Sequence, residues 1–452
     1  MKKLLLIFIY LPIIGFGQND CGTKLNHKQQ SYLSKDRITR NNWKQNNTTI
    51  YIPVQHHIIR ESNGSLGLSP SHISGIMSIV NNYYDNANIQ FYSCDSINFI
   101  DNSSFFDFSS YYEDLLCETY DVKNVVNIYY FNTVTSRAGN GLCGYTFFPP
   151  SVDRIIMDNG CALNGSTLSH EFGHYFSLKH THGGSIAELV NGSNCTTGGD
   201  ELCDTPADPN LSGVVNTLCE YTDTITDLNG DYYKPDTSNI MSYSRKACRT
   251  TFSMQQYNRT NYSALNDRDY LDCPSSISGC TDNLATNYNV NATIDDASCV
   301  YCTESYISPL TLDLITDSFP EENSWKITRH GQIVEVGCNY DTSGLQNIPP
   351  IELIPGCYEF SIYDYYEDGL SFPGGYILKD ALGNIIISGG NFLDKDSCAF
   401  EIIGNGTIVN EENINSRKII SIIDILGRKI DNSKILFYIY DDGTVEKRIV
   451  IE

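Results

Sequence analysis

Residues 167–178, Thr-Leu-Ser-His-Glu-Phe-Gly-His-Tyr-Phe-Ser-Leu, constrain this chain more than any other segment. They read as a helix on which His170 and His174, four apart, stand one turn above the other on one face. Two imidazoles so placed can reach one metal ion. Glu171 is displaced by about 100° from His170. It lies beside the ligands rather than on the ion, where a carboxylate can act as base toward a water. A third protein ligand is needed, with the fourth position left open. His180 is the candidate, yet on a continued helix it would point about 120° away from the ion. The helix must therefore break, and a positive φ near Ser177 would turn the chain back. For serine that conformation costs on the order of 1–2 kcal/mol, small against the free energy of a metal site. His182 is the fallback ligand.

The chain begins with Lys2 and Lys3, an apolar run over 4–14, and the small residues Gly15 and Gly17. This pattern predicts a secretory signal peptide over 1–17. A spanning helix would need roughly 20 apolar residues, and no later segment supplies them, so no integral membrane segment is expected after signal removal. Sixteen cysteines, an even number, agree with disulfide formation in an exported protein. The net charge of −24 argues against nucleic acid or an anionic membrane as partner.

Length alone suggests about three domains in 452 residues. Residues 18–48 are polar and read as a leader or propeptide. From Thr49 the pattern becomes strand-like through Ile50, Ile52, Val54 and 57–59. Residues 71–89 carry apolar positions at helical spacing, and 125–131 and 154–157 read as strands. This order predicts a catalytic domain over 49–273. A cysteine-bracketed spacer follows over 279–302, with Cys280 and Cys299 close enough to pair. Residues 304–403 alternate apolar positions between glycine turns and read as an all-β sandwich accessory domain. Within it, residues 363–369, Tyr-Asp-Tyr-Tyr-Glu-Asp-Gly, could bind calcium or a ligand, and an acidic turn explains them equally well. Residues 413–452 read as short strands too few to bury a core alone.

A second signature, Asn239-Ile240-Met241-Ser242-Tyr243, places its methionine sixty-one residues after His180. With residues 170–180 it resembles the metzincin pattern H-E-x-x-H-x-x-G-x-x-H followed by a Met-turn. Within that clan the closer resemblance is to the pappalysin family, carried also by residues 199–206, Gly-Asp-Glu-Leu-Cys-Asp-Thr-Pro, and by 248–256. It covers about half the chain, roughly residues 50–273, and departs from the pattern at Ser177, where the family has glycine. The resemblance implies an α/β (α+β) metzincin-like catalytic domain with a mixed sheet and an active-site helix. It implies one catalytic Zn2+ on His170, His174 and His180, Met241 as an apolar floor beneath the ligands, and Tyr243 as a stabiliser of the oxyanion. Loops like Asp200, Glu201, Asp204 and Thr205 hold Ca2+ in such enzymes, although a solvated acidic turn has the same composition. Cys21 could cap the zinc as a cysteine switch, or form a disulfide, which the even cysteine count favours. The stretch 422–447 resembles the sorting domain of type IX secretion, whose machinery would then be a partner; a small edge sheet is the other reading.

The expected function is a secreted zinc endopeptidase acting on protein or peptide substrates. The other class is a surface adhesion or binding protein with a degenerate protease domain, which would have no need of Glu171. A purely structural zinc fails because three histidines leave a position that structural sites close.

Overall fold

The computed structural model describes residues 21–24, 29–30, 32–33, 48–273, 278–289 and 292–405, together with the backbone of 419–423, 435–440 and 445–449. The signal-peptide reading of 1–17 lies outside the described residues.

The first strand, β1 (Ile50–Arg60), is the axis of the sheet that carries the histidine motif. It pairs in parallel with β2 (Ile89–Ser93), β3 (Asn98–Asp101) and β4 (Val126–Phe131). Strand β4 pairs in parallel with β6 (Arg154–Asp158), and β5 (Gly144–Thr146) closes the sheet antiparallel to β6. The order is therefore β2-β1-β4-β6-β5, with β5 at an edge. Successive residues of β4 enter two cores: Val126, Ile128 and Tyr130 face one, Tyr129 and Phe131 the other. Burial on both faces is why 125–131 is apolar at every position but Asn127 rather than alternating.

Helix α1 (Pro70–Tyr84) buries Ile73, Ile76, Met77, Val80 and Tyr84, a stripe at three- and four-residue steps. The sequence predicts a helix to 89. It stops at Tyr84, passes a 3-10 turn over Asp85–Ala87, and leaves through Asn88 at φ 55°, so Ile89 opens β2 instead. Apolar spacing cannot mark that end, because the next strand continues the apolar run. Helix α2 (Glu113–Tyr120) presents Glu113, Asp114 and, just beyond its end, Asp121 to Arg154.

The metal-motif helix is α3 (Ser166–Tyr175), every residue of which is buried. Tyr84 fixes it by donating its hydroxyl to the Ser169 carbonyl at 2.9 Å, and Phe91 packs on Phe172 with ring centroids 4.1 Å apart. Helix α4 (Met254–Asn266) starts in a capping box between Ser253 and Gln256.

Residues 304–405 form two sheets around one core. One has the order β7-β15-β12-β9-β10, from Ser305–Ser308, Lys395–Asn405, Gly356–Asp364, Asn323–Arg329 and Gln332–Gly337; the other has β11-β8-β13-β14, from Gly344–Leu345, Thr311–Thr316, Gly375–Lys379 and Ile385–Gly389. Leu312, Leu314, Trp325, Phe360, Leu378 and Phe400 meet between them, which is a sandwich. It rests on the catalytic domain through Lys326, whose Nζ donates to the Leu115 carbonyl and to Thr119 Oγ1, both at 2.8 Å. Near the C-terminus, β16 (Ile419–Ile423), β17 (Ile435–Tyr440) and β18 (Val445–Ile449) form an antiparallel sheet.

Six disulfides join Cys94 to Cys273, Cys143 to Cys161, Cys195 to Cys203, Cys219 to Cys248, Cys280 to Cys299 and Cys302 to Cys357. Cys21, Cys117, Cys338 and Cys398 are free thiols. The pairing of Cys280 with Cys299 is as expected; the parity argument for a disulfide at Cys21 fails, because three other cysteines are also unpaired.

Candidate metal centre

Helix α3 holds His170 and His174 on one face, and the chain then reverses. Ser177 has φ 73°, and Leu178 donates its N–H back to the Gly173 carbonyl at 2.8 Å. That reversal carries His180 to the pair. The three Nε2 atoms are 3.0–3.2 Å from one another, close to the roughly 3.3 Å expected between nitrogens about 2.05 Å from one tetrahedral ion. His182 stacks on the His180 ring at 5.0 Å and is outside the ligand cluster, so the fallback is not used.

Proton placement tests the fit to a cation. His170 Nδ1 lies 2.7 Å from the Ile240 carbonyl, and His174 Nδ1 lies 2.7 Å from the Leu178 carbonyl. A carbonyl oxygen only accepts, so each Nδ1 carries the proton and each Nε2 of the neutral ring is a lone pair. Burial pushes His174 down to about 4 and His170 and His180 well below their ordinary value, so the rings are neutral. Converging lone pairs repel unless a cation lies between them. Borderline-soft imidazole donors in this arrangement suit Zn2+, and the carbonyl partners are the outer contacts that orient such ligands.

Met241 is fully buried. A Cβ on Gly173 would overlap Met241 Sδ, so glycine at 173 is what lets the methionine pack against the helix that carries His170 and His174. Asn239 holds this turn: its Oδ1 accepts from Met241 N at 2.9 Å and from Gln256 Nε2 at 3.2 Å, while its Nδ2 donates to Gln256 Oε1 at 2.9 Å. The stretch after the Met-turn thus braces it from α4. Tyr243 packs its ring 4.6 Å from His180, and its hydroxyl lies 3.4 Å from the Cys21 carbonyl.

Glu171 is fully buried beside the three histidines, and residues 21–23 lie on it. Cys21 Sγ, with the three Nε2 atoms, completes a set of four possible ligand atoms all within 4.8 Å of one another. Thr23 Oγ1 donates to Glu171 Oε2 at 3.0 Å and accepts from Thr146 N at 3.0 Å, and Gly22 N donates to the Gly144 carbonyl at 2.9 Å. Residues 22–23 therefore run along the edge of β5, where an extended peptide can pair. The sequence reading missed Thr23 and the edge strand; Thr23 two residues past a candidate switch cysteine was the available signal.

The four residues named for calcium go different ways. Glu201 pairs with Lys179 at 2.9 Å. Asp204 accepts from Ser253 Oγ at 2.8 Å and Gln255 N at 2.7 Å. Thr205 Oγ1 donates to Asp200 Oδ1 at 2.8 Å, and Asp200 Oδ2 is buried without a hydrogen-bond partner. Burial pushes the Asp200 carboxyl up to about 8. Glu188, which the sequence reading did not single out, is also buried with an unpartnered Oε2.

A family model described as pregnancy-associated plasma protein-A, of the peptidase M43 family, matches residues 111–264. An extracellular metalloprotease of Sordaria macrospora is 26% identical over 275 residues, covering 54% of this chain and 87% of that protein. These matches support a pappalysin-like metalloprotease. Among solved structures, one of myroilysin is similar at 15% identity and TM-score 0.20, covering 49% of this chain and 95% of that one. One of a chaperone–substrate complex is similar at 14% identity and TM-score 0.27, covering 50% of this chain and 36% of that chain. Both scores are too low to bear on the fold. Six disulfides are consistent with a secreted protein. Among the described residues no helix is long and apolar enough to cross a membrane.

Proposed function

We propose that this chain is a secreted zinc endopeptidase made as a latent precursor, with His170, His174 and His180 as metal ligands and Glu171 as catalytic base. The observation that carries the reading is the convergence of three histidine Nε2 atoms, two of them lone pairs by the carbonyl contacts of His170 and His174, beside a buried glutamate. Zinc bound there supplies Lewis-acid polarisation of a carbonyl and a water acidified to a pKa of about 7. Glu171 takes the proton of the attacking water and returns it to the leaving amine. Tyr243 swings its hydroxyl from the Cys21 carbonyl to the developing oxyanion. The substrate backbone pairs with the β5 edge that Gly22 and Thr23 occupy in the precursor.

Cys21 is the latency device: its thiol sits in the ligand set and its neighbours occupy the base and the edge strand. Release of the leader opens all three. The adhesion reading gains no support, since the base, ligands and floor are together. Residues 1–17 act as the signal peptide, residues 413–452 as the type IX sorting domain, and the sandwich as an accessory module. Asp200, with Thr205, is the part of the acidic loop best suited to calcium, because one oxygen of its buried carboxylate, Oδ2, lacks a donor. The test is hydrolysis of a denatured protein such as casein by the leader-free enzyme, before and after chelation. Activity lost on chelation and restored by stoichiometric zinc supports the reading; hydrolysis indifferent to chelation refutes it.

A further inference from the structure

We propose that the sandwich domain binds a calcium ion between Glu322, Asp364 and Asp368, a site separate from the catalytic centre. One carboxylate oxygen from each comes within 4.8 Å of the others. Glu322 and Asp364 are each only 2% exposed, whereas Asp368 reaches solvent. Both carboxylate oxygens of Glu322 are buried without a hydrogen-bond partner. Asn323, whose Nδ2 donates to Asp364 Oδ2 at 3.1 Å, likewise leaves its Oδ1 buried and unpartnered.

Charge points the same way. Asp317 stands close by with its carboxylate turned to the Phe319 and Ser371 amides at 2.9 and 3.0 Å. Among the described residues, no lysine or arginine forms an ion pair with Glu322, Asp364 or Asp368. Burial, and then the charges of Asp364, Asp317 and Asp368, push the Glu322 carboxyl up to about 8. A buried, donor-free carboxylate facing two others either keeps a proton or holds a cation. The donors are all hard oxygens with neither imidazole nor thiolate among them, which selects calcium over zinc.

The site also sits at the junction of the two domains. The Glu321 carbonyl accepts from Tyr112 Oη at 3.3 Å, and Tyr365 N donates to the Glu322 carbonyl at 3.2 Å. The Tyr365 ring carries the Arg137 guanidinium of the catalytic domain at 3.5 Å. An ion joining Glu322 to Asp364 and Asp368 ties together the segments on which those contacts hang.

The experiment is calcium titration by calorimetry on the full secreted chain reloaded with zinc, with thermal melts at zero and saturating calcium. Wild type, Glu322→Gln and Asp368→Asn are compared. Each variant should lose one equivalent of calcium or bind it at least tenfold more weakly, and should lose part of the calcium-induced rise in melting temperature. Calcium bound elsewhere cancels in the comparison. Asp368 is exposed, so Asp368→Asn decides the matter even if Glu322→Gln does not fold. Equal stoichiometry and affinity in wild type and variants overturns the proposal. So does a wild type that binds no calcium while Glu322→Gln raises its melting temperature, since Glu322 is then a protonated acid.

Discussion

Cys21 Sγ lies 3.6 Å from Glu171 Oε2, so one thiol meets the proposed base while sharing a cluster with His170, His174 and His180. If that contact maintains latency, Cys21→Ala in the leader-containing precursor should raise its basal peptidase rate. A thiol contact worth at least about 1.4 kcal/mol sets the rise at about tenfold or more. Initial rates on a quenched peptide, before any leader is cut, measure it; an unchanged rate assigns latency to the β5 pairing instead.

Ser177 holds a left-handed conformation and anchors it through its hydroxyl, 3.0 Å from Ser263 Oγ and 3.3 Å from Asp267 Oδ2. Ser177→Gly relieves the backbone cost of about 1–2 kcal/mol but forfeits hydrogen bonds of about 0.5–1.5 kcal/mol, so stability should change by less than about 1 kcal/mol. Ser177→Val adds strain, because a β-branched residue tolerates positive φ less well than serine, and loses the bonds. It should destabilise by about 2 kcal/mol or more and weaken zinc retention, because His180 depends on this turn. Urea unfolding and metal analysis after dialysis read both effects.

Gly173→Ala should cost about 1–3 kcal/mol by overpacking, since its Cβ overlaps Met241 Sδ. The double variant with Met241→Ala should be less destabilised than the two single costs summed. Additive costs in a double-mutant cycle would show that the two residues do not meet.

Burial pushes Glu113 up to about 7, although Arg154 opposes this. The ordinary value is about 4.3, so between about pH 4 and 7 the native state binds the extra proton. Stability from this group is therefore present at low pH and lost as pH rises through about 7. Glu113→Gln should gain stability relative to wild type between pH 5 and 8, on the order of 1–3 kcal/mol, in paired urea titrations.

The clustering of three histidines was legible because a helix fixes angles: His170 and His174 had to share a face, and His180 could reach them only through a positive φ, which Ser177 supplies. The sandwich was legible from alternation. The termination of α1 at Tyr84 was not, since Ile89 belongs to a strand whose apolar residues continue the helical count. The carbonyls of Ile240 and Leu178, which set the histidine tautomers, belong to the backbone and leave no trace in side-chain identity. In the acidic loop, composition could not tell that Glu201 pairs with Lys179 or that Asp204 accepts from Ser253 and Gln255 at the start of α4. Glu322 drew no notice because its meaning lies in its burial against Asp364, forty-two residues on.

The most direct test of the catalytic claim is Glu171→Gln in the leader-free enzyme, with zinc content and peptide hydrolysis measured on the same sample. The substitution removes the base and no ligand, so zinc should remain at one equivalent while the rate falls by about 10²–10⁴-fold. Zinc-loaded Glu171→Gln enzyme that hydrolyses peptide at the wild-type rate would contradict the account.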